Sequence, residues 1–263
     1  MFGLNKLAVM SKAPFKLYVW PQRVLVLGPG FASAQHRHHA AQFAFGLNGP
    51  VIFDNPQTGV QRADMLLITP NTLHAHPAFG ALGFLYIEPE SVEWARIARR
   101  TTGEIVSLPF NQRMRSVAHR AAGGDVVAAF SLVETLIGGS LARELPDDSL
   151  VSHTIANIHR SLNEPIKVGA LANAVHRSPS RLAHRFRQGT GVSIRRYVLW
   201  CRLRLALDAA LRGSSLTEAA HSAGFADSAH LSRTFRSMFG VPPSFFFKPG
   251  VTDITFCETA AST

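Results

Sequence analysis

Cysteine is scarce in this chain: only Cys201 and Cys257 occur among its 263 residues. Two cysteines provide neither a disulfide framework nor a cysteine-based zinc finger, and such scarcity is typical of a reducing compartment. No uninterrupted apolar run approaches the ~18 residues that a membrane-spanning helix requires. The first residues carry Lys, Asn and Pro too early for a secretion signal. We therefore expect a cytoplasmic protein without a membrane partner.

Common enzyme motifs are also missing from the sequence. It contains neither a glycine-rich phosphate loop nor a nucleophile elbow, so no common enzyme class is supported. Hydrophobic residues make up 46% of the chain, which excludes wholesale disorder and allows two compact domains. We predict a non-enzyme without a cofactor.

Acidic side chains are scarce in the second half of the chain. Residues 160–250 contain 14 Lys and Arg against 4 Asp and Glu, whereas residues 1–150 contain 13 against 11. Twelve of the 14 cations are arginine, whose planar guanidinium suits phosphate groups and guanine edges. A basic half beside a near-neutral half indicates a nucleic-acid-binding domain joined to a domain with another role.

The basic half contains an internal repeat of the form L-x3-F-R-x3-G. Its two copies, residues 182–191 and 231–240, lie 49 residues apart. Leu and Phe four residues apart share one face of a helix, and the closing glycine suits a left-handed C-cap. A short apolar segment precedes each copy, at residues 168–175 and 216–223. Each pair predicts a helix-turn-helix.

The turns carry the residue types that this motif needs. In the first copy, Ser178 is a suitable N-cap and Pro179 suits the first helical position. In the second copy, Gly224 allows a sharp turn, Phe225 provides a core side chain, and Asp227 is a suitable N-cap. Two copies at fixed spacing make the interpretation much stronger than one copy would.

A longer helix is predicted between the two copies, from Ser193 to about Arg212. Apolar residues at helical spacing define its expected buried stripe: Ile194, Val198, Cys201, Leu205 and Ala209. A helix of about 20 residues spans ~30 Å, close to the ~34 Å between successive major-groove faces of B-DNA. We therefore expect one chain to present two reading helices to adjacent grooves.

About residues 150–247 resemble the DNA-binding domain of AraC-type transcriptional regulators, and we assign 150–250 to such a domain. The resemblance rests on residues in both copies and in the linking helix: Leu171, Ala172, Ser178, Leu182, Phe186, Gly191, Tyr197, Arg202, Leu203, Ala206, Leu211, Ala220, Gly224, Phe225, Leu231, Ser232, Arg233, Thr234, Phe235, Arg236, Phe239, Gly240, Pro243 and Ser244. It departs from the family pattern at His230 and in residues 245–248. It implies double-stranded DNA as a partner and activation through contact with RNA polymerase.

The resemblance also implies which residues contact DNA, since the family reads bases with the first turns of the second helix of each unit. Outward residues there are predicted to read bases: Ser180, Arg181, Ala183, His184, Ser228, Ala229, His230 and Arg233. Arg181 and Arg233 are best suited to guanine edges, whereas alanine contacts only thymine methyl groups. Four further arginines are predicted to bind phosphates, which position the protein without specifying sequence: Arg177, Arg187, Arg195 and Arg236.

Residues 1–145 are predicted to form a β-rich sensor domain. Short apolar runs at 24–27, 41–45, 51–53 and 65–68 are parted by Gly, Pro, Asn and Asp, as in a small barrel. The domain boundary is expected between Arg143 and Ser149, where Pro146 and acidic residues interrupt helix formation.

Histidines in this half stand in two motifs that resemble those of cupin barrels. The first contains His36, His38 and Gln42, with Gln42 where a metal-binding glutamate is usual, and the second ends in His74. Residues two apart share a strand face, so the three histidines are expected to converge. By resemblance to AraC-type sensors, these four residues are predicted to line a pocket for a small-molecule inducer. Metal binding by the three histidines is the less favoured alternative, because Gln42 removes the one anionic ligand.

Residues 91–142 have helical patterning. One stripe recurs at helical spacing: Val126, Phe130, Val133, Ile137 and Leu141. Such a helix packs either on the barrel or against its mate in a homodimer, and the sequence leaves both arrangements open.

The predicted fold class is α+β with two domains: an N-terminal cupin-like β-barrel with trailing helices, and a C-terminal all-α domain with two helix-turn-helix units joined by a long helix. The favoured function is a ligand-responsive, sequence-specific transcriptional activator. Two alternatives stay open. One is a metal-dependent cupin enzyme tethered to DNA, and the other is a DNA-binding factor without a small-molecule ligand.

Overall fold

The computed structural model describes residues 14–138, 149–248 and 250–257. The chain divides into two compact units. The first unit comprises residues 1–143 together with 239–263, and the second unit comprises residues 144–238. The first unit is rich in β-sheet and the second is helical, which confirms the α+β class with an N-terminal sheet-rich part and a C-terminal helical part. The predicted domain boundary, from Arg143 to Ser149, lies outside the described residues except for Ser149. The predicted stripe residue Leu141 lies outside them as well. None of the described helices is both long and apolar enough to cross a membrane.

The first unit contains eleven described strands. In chain order they are β1 (Phe15–Trp20), β2 (Arg23–Gly28), β3 (Ser33–His36), β4 (Ala41–Gly46), β5 (Val51–Asn55), β6 (Gly59–Ala63), β7 (Met65–Ile68), β8 (His74–His76), β9 (Leu82–Ile87), β10 (Ile105–Leu108) and β11 (Thr252–Phe256). The four apolar runs that predicted strands correspond to β2, β4, β5 and β7. Turn residues separate these runs, as the sequence indicates.

The strands form two sheets. One has the order β10-β7-β4-β9-β2-β1-β11 and the other has the order β3-β8-β5-β6. Every described pairing is antiparallel except that of β1 with β11, which is parallel. Phe53 on β5 and Phe84 on β9 lie edge to face at 6.3 Å, so the two sheets face each other.

Helices cover the opposite face of the larger sheet. They are α1 (Val92–Ala98), α2 (Gln112–Ala122) and α3 (Val126–Ile137). Alternate side chains along the strands, such as Phe43, Phe45 and Leu85, point towards the helices. They form one core with Ala118 and Leu132 of the helices. Alternation along β4 and β9 therefore directs one set of side chains to the helices and the other set between the sheets.

The predicted stripe on α3 is partly wrong. Val133 is buried, and Phe130 and Ile137 are partly buried against the same core, but Val126 is 38% exposed. Other residues carry the burial: Ala128, Ala129, Leu132 and Leu136. The alanines allow α3 to approach α2 closely, so the buried face includes small residues that a search for large apolar side chains misses.

The end of the chain packs on the first unit. β11 pairs with β1 from Phe15 with Thr252 to Val19 with Phe256. Before it, a short 3₁₀ helix (Pro243–Phe245) brings Phe245 and Phe246 against Phe15, with ring centroids 5.6 and 5.2 Å apart. The sequence assigned residues 239–250 to the DNA-binding domain. By their contacts residues 239–248 and 250 group with the first unit, because these aromatic side chains cover its apolar surface, and the predicted domain bounds stay a prediction.

The second unit consists of helices. They are α4 (Ser149–Arg160), α5 (Val168–Ala174), α6 (Pro179–Thr190), α7 (Ile194–Leu211), α8 (Leu216–Ser222) and α9 (Ser228–Phe239). The last residue of α9, Phe239, belongs to the first unit. The predicted helix-turn-helix pairs correspond to α5 with α6 and α8 with α9. The predicted linking helix corresponds to α7 and begins after the N-cap Ser193.

The predicted stripe on α7 is wrong in its second half. Ile194, Val198 and Cys201 are buried, but Leu205 is 42% exposed. The buried positions there are Leu203 and Ala206, both fully inaccessible. Because α7 packs against both α6 and α8, its buried face includes positions that one apolar stripe does not describe.

Candidate functional site

The first helix-turn-helix has the caps that its sequence predicts. Ser178 Oγ accepts a hydrogen bond of 3.3 Å from the Arg181 backbone N–H, and Pro179 occupies the first turn of α6. Gly191 ends α6 in the left-handed conformation, with φ of 75°. Leu182 and Phe186 are fully buried, so the rest of the first turns of α6 faces outward.

The second helix-turn-helix is built in the same way. Asp227 Oδ1 accepts a hydrogen bond of 2.6 Å from the His230 backbone N–H at the start of α9. Gly224 in the turn has φ of 76°, and Phe225 beside it is buried. In front of α8, Ser215 and Glu218 form a capping box. These local bonds orient α9 with Leu231 and Phe235 inward, as predicted.

Most of the predicted DNA-contacting residues lie on the surface. The exposed ones are Ser180, Arg181, Ala183, His184, Ala229, Arg233, Arg177, Arg187, Arg195 and Arg236. Ser228 and His230 are half-buried, and the His230 ring lies edge-on against Phe225 at 5.1 Å. Exposed arginines on both second helices give the unit a basic surface that suits a polyanion.

Other arginines of this unit serve the fold. Arg202 on α7 donates from Nε to the Leu162 carbonyl (3.0 Å) and from Nη2 to the Glu164 carbonyl (2.7 Å). Arg212 pairs with Asp208 one turn earlier at 2.9 Å. The sequence placed Arg202 off the buried stripe but did not predict that it satisfies the carbonyls after α4.

The predicted pocket residues of the first unit come together between its two sheets. His36 is 4%, His38 1%, Gln42 1% and His74 0% exposed. His36 and His74 form a cross-strand pair of β3 and β8, with ring centroids 4.3 Å apart. His38 lies beyond the end of β3, not on the same strand as expected, yet its ring centroid is 5.1 Å from that of His74.

Each of the three imidazoles is held by a backbone carbonyl. The Nδ1 atoms of His36, His38 and His74 lie 2.8, 2.8 and 2.9 Å from the carbonyl oxygens of Ala34, Ala40 and Thr72. Since a carbonyl only accepts, each Nδ1 carries the hydrogen, and each neutral ring presents the lone pair of Nε2. His38 Nε2 lies 2.9 Å from Gln42 Oε1. An acceptor oxygen does not suit a ring whose hydrogen is on Nδ1, so we infer that the amide is turned by 180° and donates from its NH2 group to Nε2.

The protonation of the cluster follows from its burial. Burial, followed by the neighbouring His38 ring, lowers the pKa of His36 to about 3. Burial, followed by the rings of His36 and His38, also holds the pKa of His74 well below its ordinary value of 6.5. Burial lowers the pKa of His76 to about 4. A protonated, positively charged imidazole is unfavourable in this buried space. His36, His74 and His76 are therefore neutral near pH 7.

Sequence reasoning missed two aromatic neighbours of the cluster. The Tyr86 ring lies 5.2 Å and the Phe239 ring 6.1 Å from that of His38, and the two aromatics are 5.8 Å apart. Tyr86 on β9 lies opposite Gln42 on β4. Side chains alternate between the two faces of a sheet, so a predicted pairing of these strands would have placed Tyr86 on the same face as Gln42. No local pattern signals Phe239, which reaches the cluster from the far end of the chain. His39, by contrast, pairs with Glu90 at 2.7 Å.

Residues 171–248 match a known family, the helix-turn-helix domain. In sequence, the chain is 32% identical over 139 residues to the transcriptional activator RhrA of Rhizobium meliloti, covering 51% of this chain and 43% of RhrA. The chain thus spans less than half the length of that relative.

Solved structures share the fold of nearly the whole chain. Apo ToxT from Vibrio cholerae has a TM-score of 0.57 and 12% identity, over 85% of this chain and 98% of that one. ToxT bound to an unsaturated fatty acid has a TM-score of 0.54 and 12% identity, over 89% and 98%. The capped second helices of both units, α6 and α9, lie within the residues that match the helix-turn-helix domain.

Proposed function

We propose that this chain is a sequence-specific DNA-binding regulator of transcription whose N-terminal unit responds to a small effector. One observation carries the proposal: two helix-turn-helix units, each with a capped second helix, expose arginines at matching positions. Arg187 follows Phe186 on α6, and Arg236 follows Phe235 on α9. Such repetition serves recognition of a repeating polymer better than it serves a single small ligand.

The length of α7 supports binding to adjacent major grooves. Its 18 residues span about 27 Å, near the ~34 Å helical repeat of B-DNA. In this arrangement Arg181 and Arg233 read guanine edges, and exposed Ser180, Ala183, His184 and Ala229 contact neighbouring bases. His230 and Ser228 contribute less, because both are half-buried. Arg177, Arg187, Arg195 and Arg236 bind phosphates.

The regulator is proposed to activate transcription, and the name of RhrA, a transcriptional activator, supports activation. Contact with RNA polymerase is proposed only because the family resemblance of the sequence implies it. That name supports a regulator, and we propose no enzymatic activity. The first unit is proposed to be a cupin-like sensor, with His36, His38, Gln42 and His74 in its pocket. A ToxT structure with a bound fatty acid supports effector binding in a protein of this fold. We also infer a homodimer, which doubles the number of DNA contacts.

The direct experiment selects bound duplexes from a random DNA library with the purified full-length protein at physiological salt. We expect one motif with two half-elements about one helical turn apart. Arg181→Ala combined with Arg233→Ala should abolish the selected motif. The matched control, Arg160→Ala together with Arg204→Ala, removes the same charge from the same unit outside the two second helices.

Recovery of the same motif with both double variants would contradict the assignment of the reading helices. Failure of the wild type to enrich any motif, with and without cell extract as a source of effector, would contradict sequence-specific binding itself.

A further inference from the structure

The first unit carries three arginines at the end of α1. Arg96 stands in the last turn of this helix, and Arg99 is its C-cap in the right-handed helical conformation. The backbone N–H of Arg100 donates to the Ile97 carbonyl at 3.0 Å, which continues the turn beyond the helix. Residues three and four positions apart share one face of a helix, so the three side chains leave α1 on the same side. We call these three arginines the arginine patch.

The charge of the arginine patch is not compensated within the described residues. The ion pairs of the first unit that the structure describes involve other cations. Glu93, one turn before Arg96, pairs with Arg23 at 3.5 Å, and Glu90 pairs with His39 at 2.7 Å. Like charges at this helical spacing repel each other, so a patch without a partner is unfavourable.

One guanidinium of the patch also lacks an acceptor. Nε of Arg96 is buried and has no hydrogen-bond partner among the described residues. A buried N–H group without an acceptor is rare and needs an explanation. The side chain as a whole is half-buried, so its guanidinium can turn towards an acceptor at the surface without breaking a described hydrogen bond. Arginine has five donors and no acceptor, and beside two exposed cations an anionic partner is favoured.

The dipole of α1 accounts for only part of this arrangement. The C-terminal end of a helix carries a partial negative charge of about half an elementary charge, which favours a nearby cation. The helix has seven residues, and half a charge does not offset three arginines within one turn. At the end of α2, by comparison, Arg120 is bound to Asp125 at 2.6 Å. The patch therefore has charge left for an external anion.

We propose that the arginine patch binds phosphates of the DNA backbone, so that the first unit contacts the same duplex that the helix-turn-helix units read. The planar guanidinium fork suits phosphate oxygens, and a DNA strand offers successive phosphates to adjacent arginines. Phosphate contacts carry no sequence information, so the patch adds affinity without changing the preferred sequence. This inference rests on the proposed function, because DNA binding by the second unit delivers the duplex.

The covalent link between the units favours DNA over other polyanions. A duplex that is bound by the second unit is tethered to the first unit, at an effective concentration on the order of mM. Three exposed ion pairs would not hold a free duplex, but at such a concentration weak contacts become occupied. An acidic segment of another protein has no comparable advantage.

Fluorescence anisotropy of the full-length protein tests the arginine patch. One probe is the selected duplex extended by about ten base pairs, one helical turn, at each end, and the other is a random duplex of equal length. Arg99→Ala combined with Arg100→Ala should reduce the slope of log K against log salt by about 2 on both probes. The resulting loss of affinity should be about tenfold greater at 50 mM than at 200 mM salt.

Arg62→Ala combined with Arg113→Ala is the matched control. Both arginines are exposed in the first unit and form no ion pair within the described residues, but they stand on separate elements, β6 and α2. This pair should leave the salt slope unchanged. Arg99→Lys combined with Arg100→Lys retains both charges and should keep a slope close to that of the wild type. Thermal unfolding of each variant checks its folding.

Equal salt slopes for the patch alanine pair and the control pair would overturn the arginine patch as a DNA contact and leave the proposed function intact. A loss confined to the selected duplex would overturn it as well, because phosphates are common to all sequences. Failure of the wild type to prefer the selected duplex over the random one contradicts sequence-specific binding instead. In that case a lower slope of the patch alanine pair on the random duplex still supports the patch.

Discussion

The backbone N–H of Ala34 donates a hydrogen bond of 3.1 Å to the carbonyl oxygen of Gly240. The two residues meet where the chain arrives from α9 and runs beside the histidine cluster. Gly240 has φ of 72°, and a Cβ placed on it would lie 2.5 Å from the Ala34 carbonyl oxygen and 2.8 Å from His36 Nδ1. Only glycine fits this position without displacing its neighbours.

Gly240→Ala should therefore lower the stability of the protein by more than ~1 kcal/mol, from backbone strain plus the close contacts. Gly250→Ala is the matched control, because Gly250 has φ of 76° but no described atom within 4 Å of its added Cβ. Thermal unfolding compares the two, and each 1 kcal/mol corresponds to a fall of about 2–4 °C. Equal shifts for both variants would show that the contact of residue 240 with Ala34 and His36 is energetically unimportant.

Arg233 and Arg187 should respond differently to removal. Arg233→Ala should cost roughly 1–3 kcal/mol on the selected operator and relax the preference at one base position, because a base contact is lost. Arg187→Ala should weaken binding to every sequence and reduce the salt slope by about 1, because a phosphate contact is lost. Fluorescence anisotropy at several salt concentrations measures both. An equal loss on operator and random DNA for Arg233→Ala would contradict its base-reading role.

The capping box of α8 predicts a pH dependence for the second unit. Hydrogen bonds from Ser215 lower the pKa of Glu218 below its ordinary value of 4.5. A carboxyl with a lowered pKa stabilises the folded state above the unfolded pKa, and this stabilisation is lost as the pH falls through the folded pKa. Glu218→Gln should reduce stability at pH 7 and flatten its dependence on pH below about 4.5.

Chemical denaturation of both proteins between pH 7 and 3 measures that difference, with Glu164→Gln as the control for loss of one negative charge in the same unit. Parallel pH profiles for Glu218→Gln and the wild type would contradict the role of the box.

Removal of residues 249–263 should destabilise the first unit. The deletion takes away β11 and two terminal backbone bonds of 2.8 Å, from Phe15 N–H to the Val251 carbonyl and from Cys257 N–H to the Val19 carbonyl. At ~1 kcal/mol for each net hydrogen bond, a loss of at least about 2 kcal/mol is expected. It should also expose β1 as a sheet edge, with faster aggregation.

A chain that ends at residue 257 is the control for that deletion, since it keeps β11 whole. Thermal unfolding and light scattering compare the two truncations. A truncation at 248 that unfolds and aggregates like the one at 257 would show that β11 does not support the sheet.

The helix caps and the buried faces of the short helices can be predicted from the sequence. Ser178, Gly191 and Asp227 act as the caps that their residue types predict, and Leu182 and Phe186 are buried at the spacing of one helical turn. Each of these features depends on residues no more than four or five positions apart. Backbone geometry over that distance is nearly independent of the rest of the fold.

Burial is harder to predict at positions where a helix packs against two neighbouring elements. On α7 the sequence favoured Leu205 as a buried residue, but the burial passes to Leu203 and Ala206. On α3 small residues such as Ala128 and Ala129 carry the packing. The choice depends on which element lies opposite, and hydrophobicity along one segment does not contain that information.

The amino-acid sequence alone predicts the two helix-turn-helix units, the basic character of their surface and the presence of short strands with clustered histidines. Tertiary packing brings His36, His38 and His74 into one buried space with Gln42. It also returns the chain after α9, so that β11 joins the larger sheet beside β1. Caps, turns and helical faces are set by contacts between near neighbours in the chain. Convergence of distant residues is set by which apolar surfaces and backbone edges remain to be covered once those local elements have formed.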